Sequence, residues 1–181
     1  MLHILRQIAR TGIRTEAPPS PADEAHDIGR LSAAVRRVLG RALTIRMVDA
    51  GSCNGCELEI NALGNPYYNL EGLGIRFVAS PRHADLLLVT GPVSKHMAIA
   101  LRRTYDATPE PKIVVAVGGG GCHGGIFGES YACGGRVSNV IPVDVEVPGC
   151  PPTPTALLRG ILAAITPRGP GATVPPVGGG G

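Results

Sequence analysis

The chain has no tryptophan, and its two phenylalanines and four tyrosines are spread over 181 residues. So few rings leave no stacking platform for single-stranded nucleic acid, and a net charge of +3 gives no basic footprint for a duplex. Nucleic-acid binding is therefore not expected. Long apolar runs are also missing: the longest are strand-length, well short of the roughly 18 residues that a membrane-spanning helix requires. The N-terminal segment carries Arg6 and Arg10 and has neither a long apolar core nor a small-residue cleavage site, so it lacks the marks of a secretory signal. A reducing, cytoplasmic location is the expectation, and there five cysteines, an odd number, do not form a disulfide framework.

Glycine and proline are abundant instead, 26 and 17 residues, gathered in the C-terminal stretch and in two loops. Three regions follow from the pattern. Residues 1–26 form an N-terminal arm: Leu2, Ile4, Leu5, Ile8 and Ile13 alternate with Arg6, Arg10 and Arg14 as an amphipathic basic helix would, until Pro18, Pro19 and Pro21 break it. Residues 27–166 read as one α/β domain. Residues 167–181 read as a flexible Pro/Gly-rich, disordered tail.

Within the domain, a helix is expected from an N-cap at Asp27 through Ile28, Leu31, Ala34, Val35 and Leu39 to Gly40. Short apolar runs at Leu43 to Val48, Ile75 to Ala79, Ala84 to Thr90, Lys112 to Val117 and Val143 to Val147 read as strands, several too uniformly apolar to face water on either side. Helical patterns follow Cys56, Ser94 (a cap candidate) and Thr153 or Thr155. Strands alternating with helices predict a doubly wound parallel sheet.

The chemistry sits in the loops. Cys53 and Cys56, in Asp49-Ala-Gly-Ser-Cys-Asn-Gly-Cys-Glu-Leu-Glu59, lie between a strand and a helix, where helix N-terminal amides favour a thiolate or an anionic cluster. Zinc, an iron-sulfur cluster and redox exchange all suit such a pair. The next loops bring Cys122, in the glycine run 118–127 that reads as a flexible loop, and Cys150, in Pro148-Gly-Cys-Pro-Pro-Thr-Pro154. A redox dithiol needs only the first pair. Three strand ends delivering four cysteines to one sheet edge favour a four-cysteine metal centre. Cys133 reads as a small packed thiol.

These motifs, with Ser80-Pro-Arg-His-Ala-Asp-Leu-Leu-Leu-Val-Thr-Gly-Pro92 and Ile141-Pro-Val-Asp-Val-Glu-Val-Pro-Gly-Cys150, resemble the iron-sulfur small subunit of membrane-bound nickel-iron hydrogenases. Formate hydrogenlyase and hydrogenase-4 complexes contain such a subunit, homologous to the 20-kDa subunit of respiratory complex I. The Cys-x-x-Cys spacing sides with the hydrogenase branch, because the complex I branch has adjacent cysteines. The resemblance covers the middle two-thirds of the chain.

It implies a flavodoxin-like domain with one 4Fe-4S cluster that relays electrons between an 8Fe ferredoxin-like subunit and a large catalytic subunit, nickel-iron hydrogenase-like or complex I 49-kDa-like. Membrane-arm subunits complete the implied complex, placing the chain in the cytoplasm, peripheral to the inner membrane. Cys53, Cys56 and Cys150 match the ligand positions. The family's third cysteine falls at Gly120 here, so Cys122 is taken as that ligand, shifted by two residues and swung inward by flexible glycines. His123 or Cys133 completing the set, a cluster-less docking subunit, and a zinc-stabilised module are the alternatives. Glu57 and Glu59 read as helix-start acids or as near-cluster proton carriers. Arg82 and His83 read as a surface pair, or as residues that contact the partner or tune the cluster.

Overall fold

Each of the five apolar runs becomes a strand, and together they build one sheet in the computed structural model, which describes residues 2–12, 29–30, 32–35, 37 and 40–166. The strands are β1 (Leu43–Asp49), β2 (Ile75–Phe77), β3 (Leu86–Thr90), β4 (Ile113–Val117) and β5 (Val145–Val147). All four pairings are parallel, in the order β2-β1-β3-β4-β5. This is the flavodoxin-like order, and its direction reverses beside β1, the switch point at whose carboxyl side such sheets bind ligands.

Period-two burial explains the layering. Leu86 and Leu88 on β3 face the core shared with Ile60, Leu157 and Ile161, whereas Leu87 and Val89 face the core shared with Leu101, Val137 and Ile141. Helices α2 (Gly55–Ala62) and α5 (Pro154–Ile165) cover the first face, and α3 (Lys95–Ala107) covers the second. No residue of β3 is exposed, which is why its sequence shows no polar alternation. The caps follow the expected chemistry: the Ser94 hydroxyl accepts from the Met97 amide, and Thr153, not Thr155, accepts from Ala156 and starts α5 ahead of Pro154.

Of the expected first helix of the domain, residues 29, 30, 32–35 and 37 are helical, with Ala34 and Val35 packed into the first core; Asp27, Ile28, Leu31 and Leu39 lie outside the described residues. The arm contains α1 (Leu2–Thr11), with Leu2, Ile4 and Leu5 exposed. Residues 13–28 and the tail 167–181, with their expected boundaries, lie outside the described residues. No helix of the described residues is long and apolar enough to cross a membrane.

Register positions the functional edge. Asp49 pairs with Thr90, Thr90 with Val117, and Val117 with Val147, so four strands end in one row. Parallel pairing puts every following loop on that side. Arg82 and His83, in the single 3-10 turn before β3, consequently stand at the opposite, amino edge, where both are exposed. The five-residue strand between them and the cysteine loops rises about 13 Å, so they do not tune a cluster at the carboxyl edge.

At the amino edge Asp85 fastens β3 to β1. Its carboxylate accepts from the Thr44 amide (3.0 Å) and hydroxyl (2.7 Å) and from both ends of the Arg41 guanidinium. Burial pushes its pKa up, but Arg41 and Thr44 more than offset this and hold it below the usual 3.8. The native state thus binds fewer protons than the unfolded chain as pH falls through that range. Stability from Asp85 is complete above about pH 4 and is lost as pH drops through the folded pKa. Asp85→Ala is expected to cost about 2 kcal/mol at neutral pH, with a smaller loss of stability on acidification than the wild type shows in urea titrations.

Candidate iron-sulfur site at the carboxyl edge

The loop after β1 is held by its own carboxylates. Asp49 accepts from the amides of Gly51 and Ser52, both at 2.8 Å, which folds the chain sharply back before Cys53. Asn54 adopts a left-handed conformation (φ 71°) and starts α2, whose first turn contains Cys56 and Glu57. Cys53 is exposed, and Cys56 is buried.

Glu57 is not the solvated helix-start acid that its position suggests. It is 4% exposed, and its Oε1 accepts from the hydroxyls of Ser52 (2.6 Å) and Thr90, while Oε2 is buried without a partner. The side chain ties the cysteine loop to the end of β3. Glu59, two residues on, is half-exposed. Thr90 went unnoticed in the sequence because its only mark is a hydroxyl ending an otherwise aliphatic strand.

The glycine run is ordered, which corrects the flexible loop expected there. It forms α4 (Gly118–His123), a short helix packed across the strand ends. The glycines serve close approach. A Cβ on Gly120 would stand 2.0 Å from the Gly91 carbonyl oxygen, and one on Gly118 would stand 2.4 Å from the Cys56 sulfur. The Gly119 amide donates to the Gly149 carbonyl at 2.6 Å, joining α4 to the loop that carries Cys150. Gly118 has φ +79°, a conformation that favours glycine.

Cys56 is the thiol that the others act on electrostatically: Cys53, Cys150 and Cys122 are all coupled to it. Burial pushes the Cys56 thiol up to about 11, and Glu57, Cys53 and Cys150 add to the rise against its own backbone amide. Cys150 is exposed. Cys122 is as buried as Cys56, 6% against 7% exposed, and its thiol donates to the Ala116 carbonyl on β4 at 3.7 Å. Burial raises it to about 12, with Glu146 adding, the Val147 amide opposing and Cys56 adding a smaller push. Cys133 is a packed thiol, accepting from the Gly135 amide and donating to the Val93 carbonyl. His123 is exposed, its ring lying back over Gly119.

The thiols suit an iron-sulfur cluster in kind: they are soft sulfur donors at one sheet edge, where the absence of a Cβ at Gly118 leaves room for the Cys56 sulfur. Among the described residues, no three His, Cys, Asp or Glu side chains stand close enough to hold a single metal ion.

A family model described as NADH ubiquinone oxidoreductase, 20 Kd subunit, matches residues 53–164, the span from the first of these cysteines to the last turn of α5. The chain belongs to this family. Among its relatives, the probable membrane-bound hydrogenase subunit mbhJ of Pyrococcus furiosus is 46% identical over 129 residues, covering 71% of this chain and 77% of that protein. Formate hydrogenlyase subunit 7 of Escherichia coli is 41% identical over 160 residues, 84% of this chain and 63% of that protein. An NADH-quinone oxidoreductase subunit of Desulfovibrio desulfuricans is 48% identical over 136 residues, 75% of this chain and 72% of that protein. Among solved structures, a chain of the membrane-bound sulfane sulfur reductase, an archaeal respiratory membrane complex, superposes with TM-score 0.60 at 32% identity, over 78% of this chain and 73% of that one. A chain of an NAD+-reducing [NiFe]-hydrogenase shares the fold with TM-score 0.55 at 19% identity, over 75% of this chain and 99% of that one. Hydrogenase and NADH-quinone oxidoreductase subunits are thus both represented among its relatives.

Proposed function

We propose that this chain is an electron-relay subunit that carries one 4Fe-4S cluster on Cys53, Cys56, Cys122 and Cys150 within a membrane-bound, hydrogenase- or complex I-like oxidoreductase. The observation that supports the reading is the convergence of the segments after β1, β4 and β5 at the carboxyl edge of the sheet, where Gly118 lies against the Cys56 sulfur and the Gly119 amide is bonded to Gly149 beside Cys150. A cluster bound there supplies one-electron transfer. The chain's own residues do the rest: the thiols give up their protons to ligate, and Asp49 and Glu57 hold the loop shape.

The same edge displays apolar residues that a partner would cover. Ile126 is 96% exposed and Tyr131 98%, and Phe127 and Leu58 join them. We assign this surface to a large catalytic subunit. An 8Fe ferredoxin-like subunit is the electron donor or acceptor on the other side, and association with membrane-arm subunits makes the chain peripheral to the membrane. The relatives' names, which place them in hydrogenase, formate hydrogenlyase and NADH-quinone oxidoreductase complexes, support this assignment.

A cluster-less docking subunit is the second reading, favoured by the inward orientation of Cys122. Anaerobic purification of the chain with its partner subunits, with iron and sulfide analysis and low-temperature EPR on wild type and Cys150→Ser, separates the two. The relay reading expects about four irons and four sulfides on this chain beyond those of the partners, lost in Cys150→Ser. An intact complex whose iron content is the same in both proteins means a scaffold.

A further inference from the structure

The N-terminal arm carries an element that the relay does not use. Helix α1 (Leu2–Thr11) stands ahead of residues 53–164, the span that the family model matches. At about 100° per residue, Leu2, Ile4, Leu5 and Ala9 fall in one arc of about 160°, and His3, Arg6 and Arg10 fall in the opposite one. The apolar arc is uncovered: Leu2 is 86% exposed, Leu5 62% and Ile4 60%. A helix of 10 residues is too short to be stable in water without a surface to pack on.

Charge identifies that surface. Arg6 and Arg10 are exposed, and the helix contains no acidic residue. Arg6 borders the apolar arc beside Leu2, a position from which a long side chain leaves an apolar layer with its charged head in the polar zone. A protein groove that takes up an amphipathic helix does so by apolar fit, which gives the two arginines no role. An anionic bilayer uses both features, with apolar side chains in the acyl boundary and guanidinium groups among the phosphates. Length fixes the orientation. The helix is about 15 Å long, half of the roughly 30 Å hydrocarbon core, so it lies in the membrane plane and does not cross it.

We propose that α1 is an in-plane anchor that inserts Leu2, Ile4 and Leu5 into an anionic lipid surface and sets Arg6 and Arg10 on the headgroup phosphates. The inference rests on the peripheral membrane association proposed above and is independent of the cluster. It gives that association a seat on this chain itself, besides the contact with membrane-arm subunits.

The chain has no tryptophan, so a single one reports from a chosen position. Full-length Leu5→Trp, within the apolar arc, and His3→Trp, opposite it, are titrated with brominated phosphatidylcholine vesicles, with and without phosphatidylglycerol. Leu5→Trp is expected to shift to the blue and to be quenched on the anionic vesicles, while His3→Trp stays unquenched. Adding Arg6→Gln and Arg10→Gln to Leu5→Trp is expected to lower partitioning about 30-fold, about fivefold for each cation removed from the surface. Quenching of Leu5→Trp no stronger than that of His3→Trp overturns the inference, as does partitioning that is equal on neutral vesicles or indifferent to the two arginines. Anionic vesicles that leave Leu5→Trp unquenched, with residues 2–11 protected from hydrogen exchange in the assembled complex, assign α1 to a protein partner instead. Membrane fractionation of the wild-type complex separates the two possible failures. A complex that pellets with membranes while Leu5→Trp stays in water overturns the anchor alone, whereas a complex recovered in the soluble fraction overturns the peripheral association itself.

Discussion

Gly118→Ala is expected to destabilise the chain by about 2–5 kcal/mol, the sum of about 1–2 for a left-handed backbone carrying a Cβ and about 1–3 for overpacking. The position has φ +79°, and the added carbon would lie 2.4 Å from the Cys56 sulfur and 3.5 Å from the Gly149 carbonyl oxygen. Neither neighbour has a free direction in which to yield, because Cys56 is fixed in the first turn of α2 and Gly149 accepts from Gly119. Gly134→Ala is the control. Its φ is ordinary and its nearest neighbour would stand at 3.5 Å, so a change within about 0.5 kcal/mol is expected. Urea unfolding midpoints read both. Equal midpoints for the two variants would mean that α4 is not seated on Cys56. In the assembled complex Gly118→Ala should also lower iron occupancy, because the sulfur it displaces belongs to the thiol group.

Removing the Glu57 carboxylate is the second large effect. Glu57→Ala withdraws the acceptor shared by Ser52 and Thr90 and leaves the buried Thr90 hydroxyl only the Val48 carbonyl at 3.4 Å. The loss of two bonds to a buried acid, with the space left behind, gives an expected cost of about 2–4 kcal/mol. Ser52 also accepts from the Asn54 amide, so its release loosens the turn around Cys53. Glu57→Gln keeps an acceptor oxygen in place and is expected to cost about 1 kcal/mol. Calorimetry distinguishes the pair. Amide hydrogen exchange should show faster opening across residues 50–56 in the alanine variant alone. Protection there unchanged by Glu57→Ala would show that Asp49 alone shapes the loop.

Much of this architecture was legible because its causes are local. Strand-length apolar runs place β1 to β5 to within a few residues, and the hydroxyls at Ser94 and Thr153 mark helix starts because a cap needs only the next three residues. The Pro-Gly-Cys-Pro-Pro and Cys-x-x-Cys stretches could be assigned to strand ends for the same reason. Misreadings arose where the cause is distant. A run of glycines has no side-chain signal of its own, so order and disorder look alike until Gly91 and Gly149 are seen to press against it. Arg82 and His83 stand close ahead of β3 in sequence, but strand direction alone decides that they face away from the cysteines.

By itself the sequence determined the fold class and the order of elements and singled out the cysteines of the loops, since periodicity, caps and composition act over a few residues. Only the tertiary structure decided where those cysteines stand. The register that ends Asp49, Thr90, Val117 and Val147 in one row puts the segments carrying Cys53, Cys56, Cys122 and Cys150 at one edge. Close packing of Gly120 on Gly91 turns Cys122 towards Ala116, and Thr90 draws Glu57 inward. Those placements depend on contacts between residues dozens of positions apart, where the energy lies in shape and hydrogen bonding that no local pattern encodes.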